Sequence, residues 1–467
     1  MPKSILPDVD VEILDGGLGL SSGSSPSTHV KIGYCTGAVA GNSFVITKSD
    51  QVAEFLGKGP LADACLDSLQ MGSQKIIAVA AAASVAGEIS EVTHVGTGSA
   101  TFATSGSPNN DYDIIIQIVK GGALNVAQYQ ESLDGGDTWS GVKTVPLNGA
   151  VAVTGTGVTI TFTAGNPAEG SFVAGDTYSF STSAPAMSNQ DFLDAMAVVR
   201  NNNWGYEFIH VVGESSASLW AVCAAEADAL EADHVPIFFV CEARNINAAE
   251  TVNAYVQSLV TEAAAFVNKR VKVVAARAEI KGLNSLTRDA NLAGLYCGIL
   301  SKAKVHESPG KVMSFPLTPV VALKPDGITY DQIASLDAAR FVTARQYVDM
   351  PGFYITNGRT MAADGSDYQY IETLRIANKA AREVRKAMLY YAQSEGDKDG
   401  LENLKAAGEA PLDLMMSNKE IAGYKLTIDP NQDILTTSTV EVELAIVPVP
   451  IMRWITIKQR MTNPFRR

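Results

Sequence analysis

Cysteine is scarce in this chain and unpatterned. The five residues, Cys35, Cys65, Cys223, Cys241 and Cys297, are scattered and odd in number, and no two form a C-x-x-C pair. That spacing supports neither a disulfide framework nor a thiolate metal site. Buried free thiols of a reducing compartment are the expectation. Histidine is as thin: His29, His94, His210, His234 and His306 make no H-E-x-x-H and no i,i+4 pair, so no metal is expected. Gly57 and Gly59, and Gly96 and Gly98, complete no G-x-G-x-x-G and no G-K-S/T, so no cofactor is expected either. Charged residues are only 18% and sum to −14, which disfavours nucleic acid and anionic membranes as partners unless basic residues cluster. The longest low-charge stretch, 76–87, is too short and too alanine-rich to insert in a bilayer. The N-terminus lacks the Lys/Arg-then-apolar plan of a signal peptide. Synthesis and folding in the cytoplasm are therefore expected.

What is present suffices for several domains: 467 residues, 46% of them hydrophobic, with 39 glycines for turns. Residues 1–27 read as an arm and linker. Val9, Val11 and Ile13 alternate with Asp8, Asp10 and Glu12 in a strand pattern, then a Gly/Ser stretch follows. A lone strand cannot satisfy its backbone groups, so it must pair elsewhere. Residues 28–92 open an α/β body, with strands at 29–34, 43–46 and 75–82 and helices at 50–55 and 61–71. Residues 93–186 change to pure β signals, at 113–120, 126–132, 158–163 and 178–182, with no Arg and two Lys. They read as an inserted β-sandwich, Asp134-Gly135-Gly136 marking a hairpin turn.

From residue 187 to 410 the α/β rhythm resumes. Ser188 with Asp191 resembles a capping box that opens a helix to Arg200. Strands at 206–212, 236–241 and 271–277 alternate with helices at 217–232 and 248–267, and a further helix is expected at 289–303. This rhythm predicts a largely parallel, doubly wound sheet. A possible strand at 320–323 and a long amphipathic helix at 368–392 follow. Residues 411–467 read as a β module, with strands at 424–428, 439–447 and 451–458, and Pro448 and Pro450 mark a bend.

Few constellations could carry chemistry. Gly213-Glu214-Ser215-Ser216-Ala217 lies between a strand and a helix, where a nucleophile elbow would lie, and Asp289 and His306 follow in the order a hydrolase needs. Ala217 replaces the last glycine, however, and no His-Gly-Gly precedes it, so helix capping is the simpler reading. His210, in an apolar strand, reads as a satisfied core residue. Asp134 and Asp137 could hold Ca²⁺, but a polar hairpin tip explains them better. The basic residues of the 368–392 helix, Arg375, Lys379, Arg382, Arg385 and Lys386, form either a solvated face or a contact for an acidic partner.

Two stretches resemble contractile phage-type tail sheath proteins. One is 344–361, containing Met350-Pro-Gly-Phe-Tyr and Asn357-Gly-Arg-Thr360, continued by Ser366-Asp-Tyr-Gln-Tyr-Ile-Glu372 and the helix carrying Arg375. The other is 422–461, where a Val/Ile-rich strand precedes a Pro-x-Pro turn and a last strand. The resemblance implies a structural subunit, not an enzyme. It would polymerise with itself, as a helical or stacked-ring homopolymer, around a tail tube protein, with baseplate and tail terminator proteins as further partners. It would contract to drive the tube through a target envelope, within a virion tail or tail-like particle. It also implies exchanged terminal arms. Val9, Val11 and Ile13 would pack against acceptor strands carrying Val440, Val442, Leu444, Ile451, Trp454 and Ile457. Asp8, Asp10 and Glu12 would approach Arg453, Lys458 and Arg460. The opposite charge of the two termini, with no acid after Glu443, was legible without the resemblance. Arg375, Lys379, Arg382 and Lys386 would be candidates for tube contact. The competing readings are a hydrolase using Ser215 and a surface protein using the β insertion to bind carbohydrate.

Overall fold

The computed structural model describes residues 28–202, 204–283 and 286–461; the arm residues Asp8, Val9, Asp10, Val11, Glu12 and Ile13 lie outside them. The chain begins with β1 (Thr28–Gly33), β2 (Ser43–Ile46), α1 (Ser49–Phe55), α2 (Pro60–Gln70) and β3 (Lys75–Ala80). It then runs through eight short strands: β4 (Thr93–Val95), β5 (Thr101–Gly106), β6 (Tyr112–Lys120), β7 (Gln128–Ser132), β8 (Lys143–Thr144), β9 (Ala150–Ala152), β10 (Val158–Thr163) and β11 (Thr177–Thr182). These form one sheet in the order β5-β10-β9 and another in the order β4-β11-β6-β7-β8. The two share a core of Ile114, Ile116, Ile118, Tyr129, Ile160, Phe162, Phe172, Tyr178 and Phe180. The chain enters and leaves this region side by side, through bridges Val85–Ala186 and Ile89–Thr182. Asp134-Gly135-Gly136 lies in a long loop rather than a two-residue hairpin. Asp134 accepts hydrogen bonds from Thr138 N and Oγ1 and from Ser132 Oγ.

The body resumes with α3 (Asn189–Arg200), β12 (Phe208–Ser215), α4 (Ala217–Ala232), β13 (Phe238–Ala243), α5 (Val252–Ala264) and β14 (Val271–Val274). The sheet order is β14-β13-β12-β1-β3-β2; all pairs are parallel except β2 with β3. The period of two along each strand sends alternate residues to opposite faces. Val30, Ile32, Ile209, Val211, Phe239 and Val273 join Phe192, Trp220 and Tyr255 of α3, α4 and α5. Phe208, Phe238, Val240, Ile76 and Ala78 face the other way. Helices on both faces explain the near-continuous apolar strands. The Ser188 capping box is present, with Asp191 bonded back to Ser188 N and Oγ.

One polar chain crosses this sheet. Lys31 Nζ lies 2.7 Å from His210 Nδ1, and His210 Nε2 lies 2.9 Å from Glu242 Oε1. Lysine has no lone pair to offer, so Nδ1 must accept and Nε2 must carry the proton. His210 is thus a neutral core residue bridging β1, β12 and β13. Burial, then the Lys31 charge, holds its pKa well below the ordinary value.

A smaller antiparallel sheet, β16-β15-β17, follows, from β15 (Arg277–Lys281), β16 (Thr287–Asn291) and β17 (Val320–Lys324), with α6 (Ala293–Lys302) between the last two. The helix expected to start at Asp289 therefore starts four residues later. Residues 287–291 pair with β15, and Asn291 Oδ1 accepts from Ala293 N to open the helix. Next come α7 (Tyr330–Ala338), β18 (Ala344–Gln346) and β19 (Phe353–Ile355).

The last part holds α8 (Ile371–Met388), α9 (Lys398–Ser417), β20 (Ile421–Ile428), a short α10 (Ile434–Thr437) and β21 (Val442–Pro448). The β module expected from 411 thus begins inside a helix: α9 runs through Pro411. Its glycines and proline oppose helix locally, but packing overrides them. Leu412 and Met415 bury against Ile376, Ala380 and Val384 of α8 and Leu426 of β20. At Gly408 a Cβ would lie 2.2 Å from Met388 Cε, so a side chain there would require the Met388 side chain to move. The strand expected at 451–458 is also absent; residues 449–461 have no regular structure, because no neighbouring strand offers them a ladder.

Arg375 corrects the reading of α8 as a basic outer face. Its guanidinium is fully buried and pairs with both carboxylate oxygens of Glu207, at 2.6 and 3.0 Å, and with the carbonyls of Leu300 and Ala303. It cannot reach an external partner. Removing one member of such a pair strands a buried charge, so Glu207→Ala should lower the unfolding free energy by about 3–5 kcal/mol. Lys386→Ala, at an exposed position, should change it by less than about 0.5 kcal/mol. Urea titrations of both variants would measure the difference; equal effects would overturn this assignment.

Candidate functional site

The carboxy-terminal ladder is incomplete. β20 and β21 pair antiparallel, Leu426 opposite Leu444 and Ile428 opposite Val442. Among the described residues this sheet has only these two strands, so each presents an outer row of backbone donors and acceptors to solvent. The inner face, with Val442, Leu444 and Ile446, packs on α8 and α9. The outer face carries exposed Lys425, Thr427, Glu443 and Val447. A groove of ≈ 590 Å³ runs beside β20, between it and Lys405, Glu409, Asp413 and Met416 of α9.

Beyond β21 the tail leaves with its apolar side chains in water. Met452, Trp454, Ile455, Ile457 and Met461 are each about four-fifths exposed or more. Ile451 and Val440 are half-buried, and Lys458 and Arg460 are exposed. Arg453 is the exception: it reaches back to Asn357 and Glu372. Of the α8 residues offered for tube contact, Lys379 pairs with Glu420 at 2.6 Å, and Arg382 donates to the carbonyls of Tyr206 and Pro236. Arg385 and Lys386 remain exposed.

The hydrolase reading fares differently. Ser215 ends β12 and is buried. Its Oγ donates to Glu242 O at 2.5 Å and accepts from Trp220 Nε1 at 2.8 Å. The hydroxyl is thus held between a carbonyl and an indole, with no general base at hydrogen-bond range. Ser216 is the N-cap residue of α4 but makes no side-chain cap; Ala217 N bonds to Glu262 Oε1 instead. Asp289 sits in β16, where Lys324 Nζ lies 3.6 Å away.

A second cavity, of ≈ 300 Å³, opens at the carboxyl ends of β1 and β12, where strand order reverses and α/β sheets commonly hold ligands. Asp63, Asp67, Asp111, Glu214, Glu242, Arg277 and Arg288 line it. Arg288 forks onto Asp67 at 2.8 and 2.9 Å, and Asn110 donates to Asp63 at 2.6 Å. Burial pushes the Asp67 carboxyl up to about 6 against the Arg288 charge, and pushes Glu242 up to about 7 against Arg277. This cluster gathers residues from six separate segments, so no local pattern announces it. Among the described residues no group of His, Cys, Asp or Glu could hold a metal ion.

These shifts have opposite signs in stability. Glu242 keeps its proton in the folded state up to about pH 7 and loses it near pH 4.3 when unfolded, so its contribution falls as pH rises through that window. His210 takes a proton only when unfolded, so its contribution is lost as pH falls through about 6.5. The two nearly cancel between about pH 4.5 and 6.5. Glu242→Gln removes the Glu242 contribution and leaves those of His210 and Asp67 in place. The slope of unfolding free energy against pH, measured by urea titration from pH 5 to 6, should become more positive by up to about 1.4 kcal/mol per pH unit. An unchanged slope would refute the opposed pair.

Comparison with known proteins gives a consistent answer. A curated protein of Haemophilus phage HP1 (strain HP1c1), named "Putative tail sheath protein", is 30% identical over 216 residues, covering 43% of this chain and 54% of that protein. The chain thus spans about half the length of that relative. The crystal structure of a sheath tail protein from Desulfitobacterium hafniense matches with TM-score 0.52 and 14% identity, over 96% of this chain and 100% of that one. The contracted PVC sheath complex of an extracellular contractile injection system matches with TM-score 0.58 and 12% identity, over 98% of each chain. At such identities the likeness defines a fold, that of sheath subunits. The family described as DUF2586 matches by its N-terminal domain over residues 6–359 and by its C-terminal domain over residues 367–466, and the chain belongs to that family.

Proposed function

We propose that the chain is the repeating structural subunit of a contractile tail sheath. It polymerises on itself around a tail tube and shortens to drive the tube through a cell envelope. The observation that carries this reading is the open two-stranded ladder beside an exposed apolar tail, in a fold matched nearly end to end by a sheath subunit. A ladder left open on both sides is completed by strands from elsewhere. The acidic arm at 8–13 is the proposed donor, and the tail with Trp454 and Ile457 joins a neighbour in the same way. Baseplate and terminator proteins would cap the polymer, and the tail-like particle would assemble in a bacterial cytoplasm. Arg385 and Lys386 are the α8 cations left for the tube. Residues 93–186 would be an inserted domain on the outer surface, its adjacent entry and exit segments acting as a stem.

Energetics favour backbone pairing over charge in this joint. Exposed ion pairs contribute roughly 0–1 kcal/mol each. Ladder hydrogen bonds contribute about 0.5–1.5 kcal/mol each, and burial of Val9, Val11 and Ile13 adds to them. Val11→Asp should therefore block polymerisation in light scattering and negative-stain microscopy, while Asp10→Asn slows it only slightly. A cysteine at position 11 should crosslink to cysteines at 440–448 of another chain. Crosslinks found only within single chains would sink arm exchange.

The insertion makes a separate claim. Replacing 93–186 by a short Gly/Ser bridge should leave the body folded and able to form tubes. Unfolding of the excised protein, read by circular dichroism, would show that these sheets belong to the body.

A further inference from the structure

The stretch at 357–372 that drew attention in the sequence has a single convergent geometry. Gly358 O accepts from Ile371 N at 2.8 Å, and Arg359 bridges to Tyr370. At Gly358 a Cβ would lie 2.4 Å from Ile371 Cγ2, so only glycine lets the two segments close. Asp337 fixes the turn from below, accepting from Asn357 Nδ2 at 3.0 Å and Arg359 Nε at 3.3 Å. The result is a socket, and Arg453 of the tail fills it. Its guanidinium lies 3.4 Å from the centre of the Tyr370 ring, with the Arg359 guanidinium 5.2 Å from the same ring. Arg453 Nη1 donates to Asn357 Oδ1 and Nη2 to Glu372 Oε2, both at 3.2 Å. Glu372 is itself buried, so Arg453 neutralises a carboxylate that water does not reach.

We infer that this socket is the anchor of the carboxy-terminal tail, a cis contact that fixes where the tail leaves its own subunit for a second copy of the chain. The second half of this inference rests on the sheath reading. The contact is made within one chain, and the length of the connection permits it. Arg453 lies five positions beyond Pro448, the end of β21, a reach of at most about 17 Å, and Pro448 and Pro450 restrict it further. Arg453 therefore stays with its own body as long as β21 stays paired to β20. The residues beyond it, Trp454 to Met461, are released with their apolar side chains exposed, and these meet the neighbour. Arg453 thus separates a part of the tail that remains at home from a part that is shared. The flat guanidinium matters, since it stacks on the ring while it donates to two acceptors at once; a lysine ammonium does not do both.

The test uses the full chain in two states. In the dispersed subunit, Arg453→Met should raise hydrogen-exchange rates of amides 449–457 by about tenfold or more, lower the thermal midpoint because the buried Glu372 carboxylate loses its partner, and slow tube formation by at least about tenfold. Arg453→Lys should fall between. Tyr370→Leu, which removes the ring from the socket side, should reproduce the exchange and assembly effects. Unchanged exchange in Arg453→Met would show that the tail is not anchored there. Raised exchange with tubes formed at the wild-type rate would show that the anchor does not serve assembly. Failure of the wild-type chain to polymerise at all would sink the sheath reading instead, and the exchange data would still decide the anchor.

Discussion

A β-ladder of two strands leaves two outer rows of N–H and C=O groups that its own strands do not pair, and among the described residues no third strand joins β20 and β21. α8 and α9 cover the inner face of β20 and β21, so the apolar side chains are satisfied while the edges are not. Exposed edges are normally blunted, because they template aggregation. Here the blunting is partial: Pro448 and Pro450 stop β21, and Lys425, Glu441 and Glu443 keep the outer surface polar. The groove beside β20 remains. Such a module is stable enough to hold its shape alone and incomplete enough to take up further strands.

That module must also be held rigidly if strands shared between subunits are to move whole bodies. α8 provides the attachment. Arg375 reaches Glu207, Arg382 reaches the carbonyls of Tyr206 and Pro236, and Asn378 meets Arg270, which also bonds Ile237 O. All these contacts lie where β12, β13 and β14 enter the parallel sheet. Arg375, Arg382 and Asn378 of α8 therefore bind the helix to the amino-terminal ends of three strands, two of which, β12 and β13, are tied to β1 by the Lys31–His210–Glu242 chain. If neighbouring subunits load the ladder as proposed, these contacts are the route from α8 into the parallel sheet.

The doubly wound body was legible because its signals are local. The helix at 217–232 matches to the residue, as does the strand at 158–163 in the β-rich region, and the Ser188 capping box opens α3 as read. The elements that escaped are those where a distant partner overrules local preference. α9 carries Gly400, Gly408 and Pro411, yet Leu412 and Met415 gain more from burial than these residues cost. Thr287-Arg-Asp-Ala-Asn291 resembles a helix start, but β15 is there to pair with it. Arg375 looks like a surface cation on any helical wheel; Glu207, 168 residues earlier, decides otherwise. The tail at 451–458 has a real strand alternation that the isolated chain cannot use. The proposed interface rests on alternation within single stretches of sequence, whereas the socket for Arg453 has five members from three separate segments and no local pattern marks it.

The energetics of the tail show why an anchor is needed. Fully burying Trp454, Ile455 and Ile457 against a neighbour would contribute about 1.5–3 kcal/mol each, roughly 5–9 kcal/mol together. Ordering the backbone of the eight residues from 454 to 461 costs about 1–2 kcal/mol per residue, roughly 8–16 kcal/mol. Burial alone therefore does not hold the tail on a neighbour. Ladder hydrogen bonds of about 0.5–1.5 kcal/mol each narrow the gap but require the strand to arrive in register. Holding Arg453 on Tyr370 and Glu372 orders the start of the segment before any neighbour is present and fixes its direction, which removes part of that entropic cost from the joining step. On the proposed sheath reading, the joint between subunits would be strong only once a subunit is folded around its own tail, and the contact that positions intact chains would disfavour unfolded or truncated ones.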